Sequence, residues 1–193
     1  MANQIGTYHL ADNPRYFEVQ RQNNFEFVVT DINGILRAGA QGNESNAKIN
    51  NAQEMLRLSV SKSSIPHFQQ EVVQIKRGNS TLKYAGTPSF PEGSVEFHDF
   101  IGADTKSILM AWQNLSYNVM TEKVASIDTT NYKKDCYLIE YTPDYRKVRT
   151  WRLYGCWISN ITESEYTNES GEKHMVGCTI QYDRAMIDLS DSI

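Results

Sequence analysis

The 193-residue sequence has no stretch approaching the ~20 consecutive apolar residues that a membrane-crossing helix needs. The opening segment, MANQIGTYHLADNPRYFEVQ, has neither a basic start nor an apolar stretch, so no secretory signal is expected. Positive charge is not in excess either. The net charge is −4, and no basic cluster could neutralise a run of phosphates, which argues against specific nucleic-acid binding. Cysteine is scarce, and Cys136, Cys156 and Cys178 form no CxxC pair. Small buried hydrophobes are the favoured reading; a three-thiolate metal site and a disulfide between subunits are the alternatives. The motifs GxxxxGK[ST], GxSxG, HExxH and GxGxxG are all missing. His98 and Asp99 are neighbours, but adjacent strand residues point to opposite faces, so they make no acid–base pair. Glu163, Glu165, Glu169 and Glu172 lack the ordered oxygen-ligand spacing of a calcium loop and read as a solvated segment. No catalytic residue, metal or cofactor is expected.

What is present points to β structure. Tyrosine is plentiful, at 11 residues. Residues 24–30 form a first strand with Phe25, Phe27 and Val29 on one face. Residues 31–53 are rich in Gly, Asn, Gln and Ala and predict a long loop or arm. In 54–61, Leu56, Leu58 and Val60 alternate with Arg57, Ser59 and Ser61, which predicts a strand with one buried and one wet face. Residues 70–77 and 81–85 flank the turn Gly78-Asn79-Ser80 and predict a hairpin, with Val73 and Ile75 on one side. Val95 and Phe97 mark a short strand. One helix is expected from the N-cap candidate Asp104 onward, with Ile108, Leu109, Trp112 and Leu115 forming its buried stripe. Residues 135–142 and 147–154 flank a Pro143-to-Arg146 turn, and 175–183 alternate again. The whole chain predicts a single domain, mainly β: a sandwich or barrel with one flanking helix.

The order of these features resembles the tail tube family of contractile phages, over about residues 20–187. The matching features, in order, are an alternating segment ending in an Ile-Pro step (Leu56 to Pro66), a basic residue with a hairpin (Arg77 to Tyr84) and a short strand ending near Asp99. Next come the helix with Trp112, two long strands, the Gly155-Cys156-Trp157 element and a last strand ending near Asp183. The segments 31–53 and 117–134 look longer than that family's pattern. The resemblance implies hexameric rings whose sheets join between subunits into one continuous barrel. The rings stack into a tube that delivers a genome or effectors. The same fold serves pyocin tubes and type VI secretion rings. It also implies the partners: further copies of the chain, sheath, tape-measure and baseplate proteins, and DNA that passes without specific binding. The location would be the virion tail, assembled in the host cytoplasm. A baseplate tube initiator, a tail terminator, a secretion ring protein and a monomeric ligand-binding β-barrel stand as alternatives.

Within that resemblance, the polar faces of the two-faced strands are the lumen candidates: Arg57, Ser59, Ser61, Thr150 and Arg152. The two arginines would hold phosphate unless carboxylates offset them, for instance across a subunit boundary. The 31–53 arm is expected to order against a neighbour on assembly.

Overall fold

A computed structural model of the chain describes residues 19–33, 51–101, 105–125, 132–168 and 171–188. Eleven strands and two helices of that set carry the description below. Strand β1 spans Phe25–Val29, helix α1 Ala52–Ser59, and β2 Val60–Ser63. A hairpin follows, β3 (Gln69–Arg77) and β4 (Ser80–Ser89), then β5 (Gly93–His98) and helix α2 (Thr105–Ser116). The short β6 (Tyr117–Asn118) and β7 (Lys123–Val124) precede β8 (Lys134–Tyr141), β9 (Lys147–Glu163), β10 (Met175–Gln181) and β11 (Arg184–Asp188). The protein is mainly β with antiparallel sheets, as its tyrosine content and alternation predict.

The organising element is β9, 17 residues long. Its first part pairs with β8 on one side and β11 on the other, and β8 pairs with β1. Its second part pairs with β10, which leads on to β5 and β2. The strand thus changes sheets midway, at Gly155, whose φ is +67°. No side chain fits there. A Cβ would meet the Asp183 carboxylate, and the left-handed backbone would strain it as well. The Gly-x-Trp element read from the sequence is this turning point.

The core lies where the inward faces meet. Phe27 and Val29, Cys136 and Leu138, Val95 and Phe97 alternate inward from β1, β8 and β5. Helix α2 packs on β9. Its Ile108, Leu109 and Trp112 are buried, and Leu115 is partly buried against the same cluster. The Trp112 indole is satisfied as well as buried, since Nε1 donates to the Tyr132 carbonyl at 3.1 Å. Asp104, the expected cap, lies outside the described residues. So does most of the 31–53 arm.

Residues 54–61 are not the strand that their alternation predicts. They complete helix α1, and only Val60 and Ser61 belong to β2. The sequence carries both periods at once. Ala52, Leu56 and Ser59 stand at i, i+4 and i+7, and these three are the buried residues of the helix. Leu58, inward in the strand reading, is 71% exposed. Asn33 Oδ1 accepts from the Gln53 amide at 3.3 Å at the start of α1, and Val60, extended, ends it. The fold therefore has a second helix beside the expected one. The cysteines are all free and buried, which leaves none at the surface for a bond between subunits.

Candidate assembly surfaces

The lumen candidates separate into two groups. Thr150 and Arg152 do share a sheet face, the one turned away from the core. Register places Arg152 in a row with Val28, Tyr137 and Met186, and Thr150 in a row with Glu26, Ile139 and Asp188. Thr150 is 5% exposed, so only Arg152 of the pair presents much surface. Its guanidinium carbon sits 4.6 Å from the Tyr154 ring centroid and 5.6 Å from that of Tyr137. Its Nη2 donates to Asp135 at 2.8 Å, and that hydrogen bond, foremost, holds its pKa above the ordinary value. In the second group, Arg57 and Ser59 are not on a strand at all. Arg57 projects from α1 and pairs with Glu54 at 2.9 Å and Glu26 at 3.4 Å. Ser59 is buried, donating to the Met55 carbonyl at 2.6 Å and lying 3.1 Å from the Thr105 hydroxyl. It fastens α1 to α2 and cannot line a channel. Ser61 is half-buried in β2. Both arginines meet carboxylates within the subunit.

The β3–β4 hairpin stands apart from this body. Every residue of β3 is exposed, and so is every residue of β4 but Gly86. Register pairs Val73 with Tyr84 and Ile75 with Leu82, so these four share a face; Gln74 with Lys83 and Lys76 with Thr81 share the other. One face is apolar and uncovered. Near the base, Phe68, Phe90 and Tyr182 form a ring chain with centroids 6.3 and 6.2 Å apart, which holds the hairpin to the body. A two-stranded hairpin without a core is at best marginally stable alone. Covering four half-exposed side chains of this size would contribute about 3–6 kcal/mol. The sequence shows the alternation on these strands, but nothing local reveals that no core residue covers it.

A second uncovered surface lies beyond the other end of β5. There Asp99 accepts from His174 rather than from its neighbour His98: His174 Nδ1 stands 3.0 Å from Asp99 Oδ2 and Nε2 3.2 Å from the Ser164 carbonyl. The Tyr166 ring stacks on the imidazole, centroids 4.6 Å apart. Both ring nitrogens thus face acceptors within the fold. Glu165, Tyr166 and Glu172 are exposed here, as are Phe100 and Ile101. Among the described residues, no group of three His, Cys, Asp or Glu side chains could hold a metal. None of the described helices is long and apolar enough to cross a membrane.

No protein-family model and no curated protein matches the sequence. Solved structures do match. One chain of the extended PVC sheath–tube complex, an extracellular contractile injection system, has a TM-score of 0.61 with 12% identity, over 89% of this chain and 92% of that one. A chain of the anti-feeding prophage cap, which terminates the tube, gives 0.60 with 14% identity, over 88% and 91%. The SPP1 tail tube gives 0.51 with 8% identity, over 88% and 79%. The structural neighbours are tube proteins of tails and injection systems, and this chain has their fold.

Proposed function

We propose that the chain is a structural subunit of a tail tube, and not an enzyme. Copies close into hexameric rings, the rings stack, and the resulting hollow conduit carries a genome or an effector into a target cell. The observation that carries the reading is the β3–β4 hairpin, an amphipathic ribbon with its apolar face in water, on a fold shared with tube proteins. A subunit whose surface is finished would not expose such a ribbon; one that assembles would. The edge of β11, with Met186 and Ile187 exposed, suits sheet joining between subunits. Sheath, tape-measure and baseplate proteins are the further partners, and the assembled tail is the site of action. The face of Tyr137, Arg152 and Tyr154 lines the lumen. Arg152 on it is already paired with Asp135, which leaves Arg184, in the row of Tyr154, as its second and exposed cation.

Negative-stain electron microscopy of purified protein tests this, alongside its mass by size-exclusion with light scattering. Rings and stacked tubes are expected. A monomer at high concentration, with no tubes even beside its tail partners, would sink the proposal in favour of a ligand-binding barrel. The likeness to the terminating cap favours a second reading, a tube end piece. Single rings that bind tube ends but never extend would select it.

A further inference from the structure

Asp31, Glu122 and Tyr145 are the described residues other than glycine with a positive φ. A side chain opposes this left-handed backbone, aspartate and asparagine least. Asp31 is of the tolerated kind and gains an ion pair, its carboxylate lying 2.8 Å from Lys134 Nζ. Glu122 is exposed in the β6–β7 turn and keeps its carboxylate in water. Neither reason serves Tyr145, an aromatic residue with φ +60° and 81% exposure.

Tyr145 ends the loop that joins β8 to β9. Its amide donates to the Thr142 carbonyl at 2.9 Å, and the Thr142 amide donates to the Arg146 carbonyl at 2.8 Å. Pro143 and Asp144 fill the two places between. That is a tight turn followed by one left-handed residue, the place that hairpins of this kind normally give to glycine. Local contacts do not account for a tyrosine there. Among the described residues its ring has no aromatic partner and its hydroxyl no hydrogen bond. Arg146 beside it is exposed, with no carboxylate in salt-bridge range among the described residues. Val19 is exposed too, next to Gln20, whose side chain donates to the Tyr141 carbonyl at 2.8 Å at the foot of the loop. A strained position thus holds an aromatic ring in water. Backbone strain that the subunit does not itself reward points to a task outside it.

We propose that Tyr145 is an assembly anchor, its ring buried with Arg146 against a second copy of the chain. The place of the loop supports a copy as the partner. In a barrel made by joining sheets sideways, strands tilt by about 35–45° and run from rim to rim, so the loops at their ends occupy the rims. Stacked rings meet at their rims. Tyrosine covers a large area with two torsions to fix, and tyrosine and arginine are enriched among the side chains that dominate interface energies. This role rests on the tube reading and adds one residue to its contacts.

Tyr145→Gly separates the free subunit from the assembled one. Glycine suits the left-handed position, so the urea midpoint of the free subunit should rise by a few tenths of molar. Assembly should weaken, the protein concentration needed for tubes rising about tenfold. Tyr145→Asn accepts the same backbone without glycine's freedom and should raise that threshold as well, so that a loosened loop is not the cause. A lowered midpoint in the glycine variant would show that the ring holds its own subunit together. An unchanged threshold would show that the ring stays in water in the tube, and a threshold raised by glycine alone would point to the loop's rigidity. Each of these, found beside normal wild-type tubes, overturns the anchor and leaves the tube reading standing. A wild-type chain that never assembles overturns both.

Discussion

Trp112 is enclosed on its ring faces by the core and satisfied at its one polar atom, so truncation removes both packing and a hydrogen bond. Trp112→Ala should cost ~3–5 kcal/mol, read as a shift in the denaturant midpoint; an unchanged midpoint would show that α2 is peripheral. The cysteines offer a second test. Burial pushes the Cys178 thiol up to about 12 and Cys136 well above its usual range. Neither holds appreciable thiolate near neutral pH, and neither is reachable. A thiol reagent at pH 8 should modify none of the three in the folded protein and all three in guanidinium. Fast labelling of native protein would mean that the core opens readily. Gly155→Ala should also destabilise, because the left-handed backbone and the Asp183 carboxylate both oppose a side chain.

Helix α1 and the hairpin show how far local pattern reaches. In the free subunit the hairpin has no cover, so trypsin should cut at Lys76, Arg77 or Lys83 early, and assembled tubes should resist it. Equal rates in both states would place the hairpin outside every contact. The strands at 25–29, 135–141 and 175–181, the α2 stripe and the hairpin were all legible, because each carries a single period over its whole length. Residues 54–61 carry two. Leu56, Leu58 and Val60 satisfy period two, while Ala52, Leu56 and Ser59 satisfy the helical one. Contacts distant in sequence, Ser59 to Thr105 and Arg57 to Glu26, favour the helix. That misreading put Arg57 and Ser59 on a strand that they do not occupy, while Ser61 does lie in β2. Alternation put Arg152 and Thr150 on one face, opposite Trp151 and Leu153, as the register has it, but the cover over Thr150 and the Asp135 partner of Arg152 are tertiary facts. The pairing of Asp99 with His174 instead of His98 is another, made 75 residues apart.

At the scale of the molecule, the proposed lumen face has a test of its own. Met186 shares its row with Arg152 and is exposed, so Met186→Cys carries the only reachable thiol. A maleimide bearing a bulky polymer should add to free subunits and be excluded from preformed tubes, whose bore would not admit it; ready labelling along the outer wall would turn this face toward the sheath. The last consequence belongs to β9. Because one continuous strand is a member of both sheets, neither sheet has a boundary at which it can come apart from the other. A load applied at β11 or β1 reaches β10 and β5 through covalent backbone rather than through side-chain packing. The subunit should therefore melt in a single transition, with matching calorimetric and van't Hoff enthalpies. The amides around Cys156 and Ile158 should be the last to exchange with deuterium. In a tube that is thrust through a barrier, a subunit of this kind yields as a whole or not at all.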